Sequence, residues 1–159
     1  MNIKIVVIGK IKEQYFQNAL ADYTKRISKY AKLEITELPD VEIPNKSNKK
    51  LDVKVIRQEG EQILKYIKEQ DFVVSLEIAG TSLSSLDFAK FLENQVLAGK
   101  PNFVFVIGGS LGLSDAVKKR SNFALSFSKM TFPHQLFRVV LLEQIYRCFK
   151  INANEIYHK

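Results

Sequence analysis

The sequence predicts an α/β fold in which helices cover one mostly parallel β-sheet. Three observations support this prediction. Short apolar runs rich in β-branched residues recur along the chain. Longer segments with helical periodicity separate these runs. Most of the runs are apolar throughout, without alternation, which is typical of strands buried on both faces of a parallel sheet.

Each strand is predicted from an apolar run and the turn residues that bound it. The first run ends at Gly9, and the run that ends at Leu38 alternates with acidic residues, so we expect the second strand to be half exposed. The most hydrophobic run leads directly into a glycine-rich stretch. The predicted strands are Ile3–Ile8, Leu33–Leu38, Phe72–Ile78, Phe103–Ile107 and Phe123–Phe127.

The helices are predicted from amphipathic periodicity and from residues that favour helix ends. Ser84 and Asp87 form a capping box, and Gly99 with Pro101 ends that helix near Leu97. Pro133 suits the start of the last helix, where its fixed φ and missing N–H do no harm. The predicted helices are Lys12–Tyr30, Asp52–Lys68, Ser84–Leu97, Asp115–Arg120 and the helix that follows Pro133.

The organisation of the chain indicates one domain over residues 1–159, because no internal repeat or linker divides it. The polar loop Pro39–Lys50 is the segment we expect to be mobile. The N-terminal apolar run is interrupted by Lys4 and is too short for a signal-peptide core, and no stretch has the length of a membrane-spanning helix. We therefore expect a cytoplasmic protein without a membrane partner.

Positive charge is concentrated near the C-terminus. The formal net charge is +7; residues 118–159 contain eight Lys or Arg and two acidic residues, whereas residues 1–117 contain 16 and 15. Clustered cations favour a polyanion partner because they release counterions from a phosphate backbone. A solvated basic surface without a partner explains the charge equally well.

The stretch Gly108–Gly112 follows a predicted strand and precedes a helix, which is where a nucleotide-binding loop would lie. It is not a dinucleotide fingerprint, because Ser110 and Leu113 stand where that pattern requires glycine. Two interpretations remain. Glycines that permit a tight strand–helix turn are favoured on this stretch alone. The alternative is a backbone-lined cradle for a small ligand at the carboxyl end of the strands.

The last helix has a wide apolar arc with Arg138 at its middle. A buried arginine needs a partner, so Arg138 is either a paired structural arginine or an anion binder. A helix with so much apolar surface often packs against a second copy of itself, and we expect a homodimer. The opposite sector of the helix is polar and contains Glu143, Gln144, Arg147 and Lys150.

Residue types that bind metals are few in this sequence. The one cysteine, Cys148, lies in an apolar helical pattern and is expected to be an inert core thiol. The two histidines, His134 and His158, lack carboxylate partners at ligand spacing, so no metal site is expected. A lone surface histidine is usually incidental, but the tail Tyr157-His158-Lys159 offers aromatic and hydrogen-bonding groups suited to RNA.

Several motifs together carry a resemblance to a known family. From Leu125 to Gln135 the chain reads Leu-Ser-Phe-Ser-Lys-Met-Thr-Phe-Pro-His-Gln, and the sequence Tyr-His-Lys ends it. With the stretches Val7–Lys12, Leu76–Gly80 and Phe103–Gly112, this pattern resembles the ribosomal RNA large subunit methyltransferase H family, a minimal branch of the SPOUT methyltransferases. The resemblance spans essentially the full length. Lys159 stands where some members have arginine, which keeps the charge but loses bidentate phosphate geometry.

The resemblance implies a fold and a cofactor that the residue pattern alone does not indicate. It implies a C-terminal trefoil knot, an exception to the usual avoidance of knots, and two protomers that complete each site. The implied cofactor is S-adenosylmethionine. Its implied contacts, carried over by position, are Leu76, Gly108, Phe127, Ser128, Lys129, Met130, Thr131 and Phe132.

The implied reaction is methylation of N3 of a pseudouridine in the helix 69 loop of 23S rRNA, at the ribosomal subunit interface. The N3 proton must leave as the methyl group arrives, and His158 is the first candidate to accept it or to orient the base. His134 is the second candidate. Arg138, Arg147 and Lys159 are candidates to hold phosphates or to stabilise the anionic base.

Two other functions compete with this one. The basic C-terminal quarter suffices for a non-catalytic module that binds RNA or the ribosome. A small nucleotide-binding protein of flavodoxin-like topology, acting on a metabolite, is the second alternative. The missing fingerprint and the basic tail both argue against it.

Overall fold

The computed structural model describes residues 1–43 and 48–157, and these residues form an α/β fold with one sheet between two layers of helices. The strands are β1 (Asn2–Ile8), β2 (Lys32–Leu38), β3 (Phe72–Ser82), β4 (Asn102–Ile107) and β5 (Phe123–Ser126). The helices are α1 (Gln14–Ile27), α2 (Lys49–Leu64), α3 (Ser85–Leu97), α4 (Asp115–Arg120) and α5 (His134–Asn152).

The sheet has the strand order β2-β1-β4-β3-β5, and every strand pair in it is parallel. This confirms the predicted parallel sheet. β2 lies at an edge and its residues are mostly half-buried or exposed, as its alternating sequence indicated. Because all strands run the same way, their carboxyl ends meet at one edge of the sheet, where open α/β sheets bind ligands.

Two hydrophobic clusters hold the helices against the two faces of the sheet. Alternate residues of β1 divide between them, because side chains along a strand point to opposite faces. Ile3, Ile5 and Val7 join the cluster formed with α1, α3 and α5. Val6 and Ile8 join the cluster formed with α2 and α4. The continuous apolar runs that predicted the strands therefore supply both cores.

The apolar arc of α5 packs against the chain's own core. Leu141, Leu142 and Ile145 are fully buried there with the sheet and the neighbouring helices. The dimer prediction took this arc as a surface for a second copy. These three residues are covered within the chain, whereas Tyr146 and Phe149 of the same arc are half-buried, and the dimer stays a prediction. Cys148 is buried in the same layer and burial raises the pKa of its thiol, so it fits the predicted inert core thiol.

The predicted bounds of α2 were wrong at both ends. The helix begins at Lys49, and not at Asp52, because the Asn48 side chain caps it by accepting hydrogen bonds from the Lys50 and Leu51 amides. It ends at Leu64. Residues 44–47 of the preceding loop lie outside the described residues, so its mobility stays a prediction.

Predicted caps at α3 and α5 are confirmed. The Ser84 hydroxyl accepts a hydrogen bond from the Asp87 amide at 3.1 Å, and Pro133 directly precedes α5. The Gln135 side chain also accepts hydrogen bonds from the amides of Lys12 and Glu13, at 3.0 and 3.3 Å. These bonds join the start of α5 to the start of α1. The loop between β5 and α5 therefore lies at the carboxyl edge of the sheet.

Candidate cofactor pocket and RNA-facing tail

A pocket of about 370 Å³ lies at the carboxyl edge of the sheet, which is large enough for a small organic ligand. Three stretches that are far apart in the sequence supply its walls, together with Lys118 on α4. The lining residues are Leu76–Ala79, Ile107–Ser110, Gly112, Leu113, Leu125, Phe127, Ser128, Met130–Phe132, His134 and Phe137.

The first wall is an excursion in the middle of β3. Leu76 and Thr81 both pair with Leu125 on β5, so the four residues between them leave the ladder. This is a bulge, which commonly redirects side chains beside a binding site. The Ser126 hydroxyl donates to the Ile78 carbonyl at 2.9 Å and fixes the excursion in place.

The second wall is the glycine loop, residues 108–112. The Gly112 amide donates to the Gly109 carbonyl at 2.9 Å, and Gly112 has a φ of 87°, a left-handed conformation that glycine adopts without strain. A Cβ at Gly108 would lie 2.9 Å from the Gly112 backbone. The glycines therefore allow a tight turn, as predicted, and they leave backbone along the pocket; the ligand cradle itself stays a prediction.

The third wall is the loop between β5 and α5. Aromatic rings hold it: the Phe127 and Phe137 centroids are 5.3 Å apart, and Phe132 stacks on Phe137 at 6.0 Å. The Met130 amide donates to the Ser128 hydroxyl at 3.0 Å, which closes a local turn. The wall thus combines aromatic surface with exposed backbone.

The family described as "Predicted SPOUT methyltransferase" matches residues 1–158 of the chain. The chain belongs to the SPOUT methyltransferase family. Proteins named ribosomal RNA large subunit methyltransferase H are similar over their whole length and that of this chain. They include proteins of Clostridium botulinum (strain Alaska E43 / Type E3), 51% identical over 159 residues, and of Clostridium tetani (strain Massachusetts / E88), 50% identical. The protein of that name from Clostridium beijerinckii is 49% identical.

The pocket of this SPOUT methyltransferase brings together most of the residues predicted to contact the cofactor. Leu76 lies on the first wall, Gly108 on the second, and the stretch from Phe127 to Phe132 forms most of the third. Lys129 is exposed and is absent from the described lining. Residues that are far apart in sequence thus meet around one space, which is the arrangement that the family resemblance implies.

Among the described residues, three ionisable side chains face the pocket: Glu77, Lys118 and His134. The Glu77 carboxylate accepts a hydrogen bond from Ser75 at 2.6 Å and lies 3.7 Å from the Lys118 ammonium. Burial lowers the pKa of His134, and the charge of Arg138 lowers it further. A lowered pKa favours the neutral imidazole, which is the form that accepts a proton.

Arg138 lies beside the pocket in the core and is only 2% exposed. Its guanidinium donates to Glu37 at 2.6 Å, to the Gly9 carbonyl at 2.9 Å and to the Ile8 carbonyl at 3.2 Å. These contacts satisfy most of its donors inside the chain. Of the two interpretations left open by the sequence, they favour the paired structural arginine.

The tail candidates His158 and Lys159 lie outside the described residues. Tyr157, immediately before them, docks on the polar face of α5. Its ring lies 4.7 Å from the Arg147 guanidinium, and its hydroxyl donates to Glu143 at 3.3 Å. Arg147 itself donates to Glu143 at 2.6 Å, so this candidate phosphate contact also has an acidic neighbour.

Sequence reasoning missed the charged pair Glu77 and Lys118. A signal for Glu77 existed, since it is an acidic residue at the carboxyl end of an otherwise apolar strand, the usual place for ligand contacts in α/β sheets. No pattern pointed to Lys118, which reaches the pocket from the exposed end of α4. Only the packing of α4 beside β3 brings the two together.

Within residues 1–43 and 48–157, no group of three or more His, Cys, Asp or Glu side chains is arranged to hold a metal ion. None of the helices described there combines the length and apolar character needed to cross a membrane.

Proposed function

We propose that the chain transfers a methyl group from S-adenosylmethionine to N3 of a pseudouridine in the helix 69 loop of 23S rRNA, acting as one methyltransferase domain over residues 1–159. The observation that carries the proposal is the pocket, where the predicted cofactor residues of three separate stretches meet. The names of relatives about 50% identical over the full length support ribosomal RNA as the substrate class. A cytoplasmic location is part of the same proposal.

The pocket suits this cofactor chemically. Its aromatic wall at Phe127 and Phe132 and the aliphatic Leu76 suit an adenine ring, while the bare backbone of the glycine loop permits close approach. Glu77 and Lys118 offer opposite charges to a ligand that carries both an ammonium and a carboxylate. When bound, S-adenosylmethionine supplies a methyl group that its sulfonium has already activated.

The protein's part is to position the RNA base and to handle one proton. His158 remains the first candidate to accept the N3 proton, with Lys159 beside it as a phosphate contact. His134 is the second candidate, and its position on the pocket wall with a lowered pKa suits a base at neutral pH. The excess of cations over residues 118–159 suits the phosphate backbone of the RNA.

A second protomer is also part of the proposal. Ile78 and Met130 line the pocket, yet 54% and 75% of their surface is exposed. A partner protomer over this rim would bury both side chains and complete the site. Light scattering on the purified chain is expected to give twice the single-chain mass of 18.2 kDa. The single-chain mass would contradict a shared site.

The experiment uses ribosomes from cells that lack the modification and radiolabelled S-adenosylmethionine. We expect label in 23S rRNA, and mass mapping of the nucleosides to find 3-methylpseudouridine at the helix 69 loop. His158→Ala is expected to lose most transfer, whereas Lys54→Ala, at an exposed position of α2 outside the pocket lining, is the matched control. Full transfer by the His158 variant would remove that residue from its role. Ribosome binding without heat on titration with the cofactor would instead indicate a non-catalytic module.

A further inference from the structure

Glu59 on α2 is a buried carboxyl group behind the pocket, with only 4% of its surface exposed. Its Oε1 accepts a hydrogen bond from the Val41 amide at 3.2 Å, in the segment that follows β2. Its Oε2 has no hydrogen-bond partner in the described part of the chain. Burying a polar oxygen without a partner is costly, so its position calls for an explanation.

The carboxyl group lies against the glycine loop. A Cβ built at Gly109 would lie 2.6 Å from Oε2 and 3.0 Å from Oε1 of Glu59. The carboxyl therefore fills the space that any side chain at this position would need. Gly109 lines the pocket, whereas Glu59 is on the far side of the loop.

The next residue of α2 makes a second close contact with the same region. A Cβ at Gly60 would lie 2.1 Å from the Ser114 hydroxyl, which caps α4 directly after the glycine loop. One turn of α2 thus touches both ends of the stretch from Gly109 to Ser114. Burial raises the pKa of Glu59; the hydrogen bond from the Val41 amide opposes this and the charge of Asp40 adds to it, so the net rise favours a neutral carboxyl at this contact.

We propose that Glu59 is a positioning residue for the cofactor pocket: its carboxyl group holds Gly109, and through Val41 the segment after β2, at a fixed separation from α2. The glycine loop then keeps the shape that receives the ligand. This inference rests on the proposed function in one respect, since it takes the ligand to be S-adenosylmethionine. A displacement of about 1 Å in the groups that position a substrate can lower the reaction rate about a hundredfold.

The test is a double-substitution cycle read by calorimetry with S-adenosylmethionine. We expect Gly109→Ala to raise the dissociation constant at least tenfold, because its methyl group meets the Glu59 carboxyl. Adding Glu59→Ala removes that carboxyl, so the double variant should bind better than the sum of the two single effects predicts. Gly108→Ala is the matched control, since its Cβ meets the Gly112 backbone and Leu113 and should gain nothing from Glu59→Ala. Additive effects at Gly109 and Glu59 would overturn the proposal.

Two further measurements separate positioning from a general loss of stability. Glu59→Ala should raise the KM for the cofactor about tenfold and leave the KM for ribosomes unchanged, whereas Glu59→Gln, which keeps the shape, should restore the cofactor KM. A parallel rise in both constants would contradict the inference. If Glu59→Ala does not fold, Glu59→Asp, which withdraws the carboxyl by one methylene group, takes its place in the cycle.

Amide hydrogen exchange in the unliganded protein measures the stability of the glycine loop directly. Glu59→Ala should speed exchange at residues 109–113 and 39–43 together and leave the β1 amides unchanged. Unchanged exchange in the loop would overturn the inference even if the cofactor binds. Wild-type protein that does not bind S-adenosylmethionine would instead contradict the proposed function, and the exchange result would still decide the role of Glu59.

Discussion

Arg138 on α5 and Glu37 at the end of β2 form an ion pair, with Nη1 donating to Oε1 at 2.6 Å across 101 positions of sequence. The arginine is 2% exposed and the glutamate side chain 31%. The same guanidinium donates to the carbonyls of Ile8 and Gly9 at the end of β1. One side chain therefore joins the last helix to the carboxyl ends of two neighbouring strands, next to the pocket.

Removing this arginine is expected to destabilise the fold. Arg138→Ala removes the cation paired with the Glu37 carboxylate and the guanidinium that donates to two carbonyls, and should lower the free energy of unfolding by about 3 kcal/mol. Urea denaturation followed by circular dichroism measures the change. Arg57→Ala is the control, because the Arg57–Glu61 pair is exposed and its loss should cost no more than about 0.5 kcal/mol. An Arg138 variant of full stability that has lost RNA binding would instead support the anion-binding interpretation.

The pH dependence of methyl transfer tests His134. Burial and the neighbouring Arg138 lower its pKa below the ordinary 6.5, so the imidazole stays a neutral proton acceptor as the pH falls through that value. If His134 is the base, kcat should fall as the pH is lowered, with the midpoint of the decline below 6.5. His134→Gln should abolish that decline together with most of the rate. A decline that persists unchanged in the variant would assign it to another group.

Gly60→Ala is expected to destabilise the protein even though alanine favours helices. The substitution gains up to about 1 kcal/mol of helix propensity. However, the new Cβ would lie 2.1 Å from the Ser114 hydroxyl and 2.8 Å from its Cβ, and overpacking of this kind costs about 1–3 kcal/mol. We therefore expect a lower Tm in a thermal scan.

Ser114→Gly is the partner for this test, because it removes both clashing atoms and glycine replaces serine at a helix N-cap at a cost of a few tenths of a kcal/mol. Combined with Gly60→Ala, it should restore most of the lost stability. A higher Tm for Gly60→Ala alone would show that the contact between α2 and Ser114 is looser than the structure indicates.

The sheet could be predicted because each strand is indicated by a pattern within one short stretch of sequence. A continuous apolar run such as Phe103–Ile107, placed between amphipathic helices, is typical of a strand that is covered on both faces of a parallel sheet. The central place of Arg138 in an apolar arc likewise predicted its burial. Its partner could not be predicted, because Glu37 reaches it only after β2 joins the sheet beside β1.

The pocket was predicted less completely, for two physical reasons. The sequence from Phe72 to Ser82 looks like a strand followed by a turn, and only the pairing of both Leu76 and Thr81 with Leu125 reveals the excursion that presents Glu77. The role of Glu59 depends on a contact between α2 and the glycine loop, which no periodicity indicates. Cofactor contacts came instead from the family resemblance, and the knot and the dimer stay predictions on that basis.

Glu59→Gln should stabilise the protein at neutral pH. The folded state raises the pKa of Glu59 above its ordinary 4.5, chiefly through burial, so the stability that the protonated carboxyl contributes is fully present below pH 4.5 and is lost as the pH rises through the raised value. Glutamine stays neutral throughout and avoids this loss. The Tm of the variant should therefore exceed that of the wild type at pH 7.5, by about 2–4 °C for each kcal/mol recovered, and the difference should shrink as the pH approaches 4.5.

The matched control for that comparison is Glu61→Gln, at an exposed position two residues further along α2. Its side chain is solvated in both states, so its effect on Tm should stay small across the same pH range. A constant difference between Glu59→Gln and wild type across the pH range would mean that folding leaves the pKa of the carboxyl unchanged, so that the group is ionised in the folded protein at pH 7.5. In that case a cation or ordered water must satisfy Oε2, and the glycine loop would be held by a charged contact in place of a neutral one.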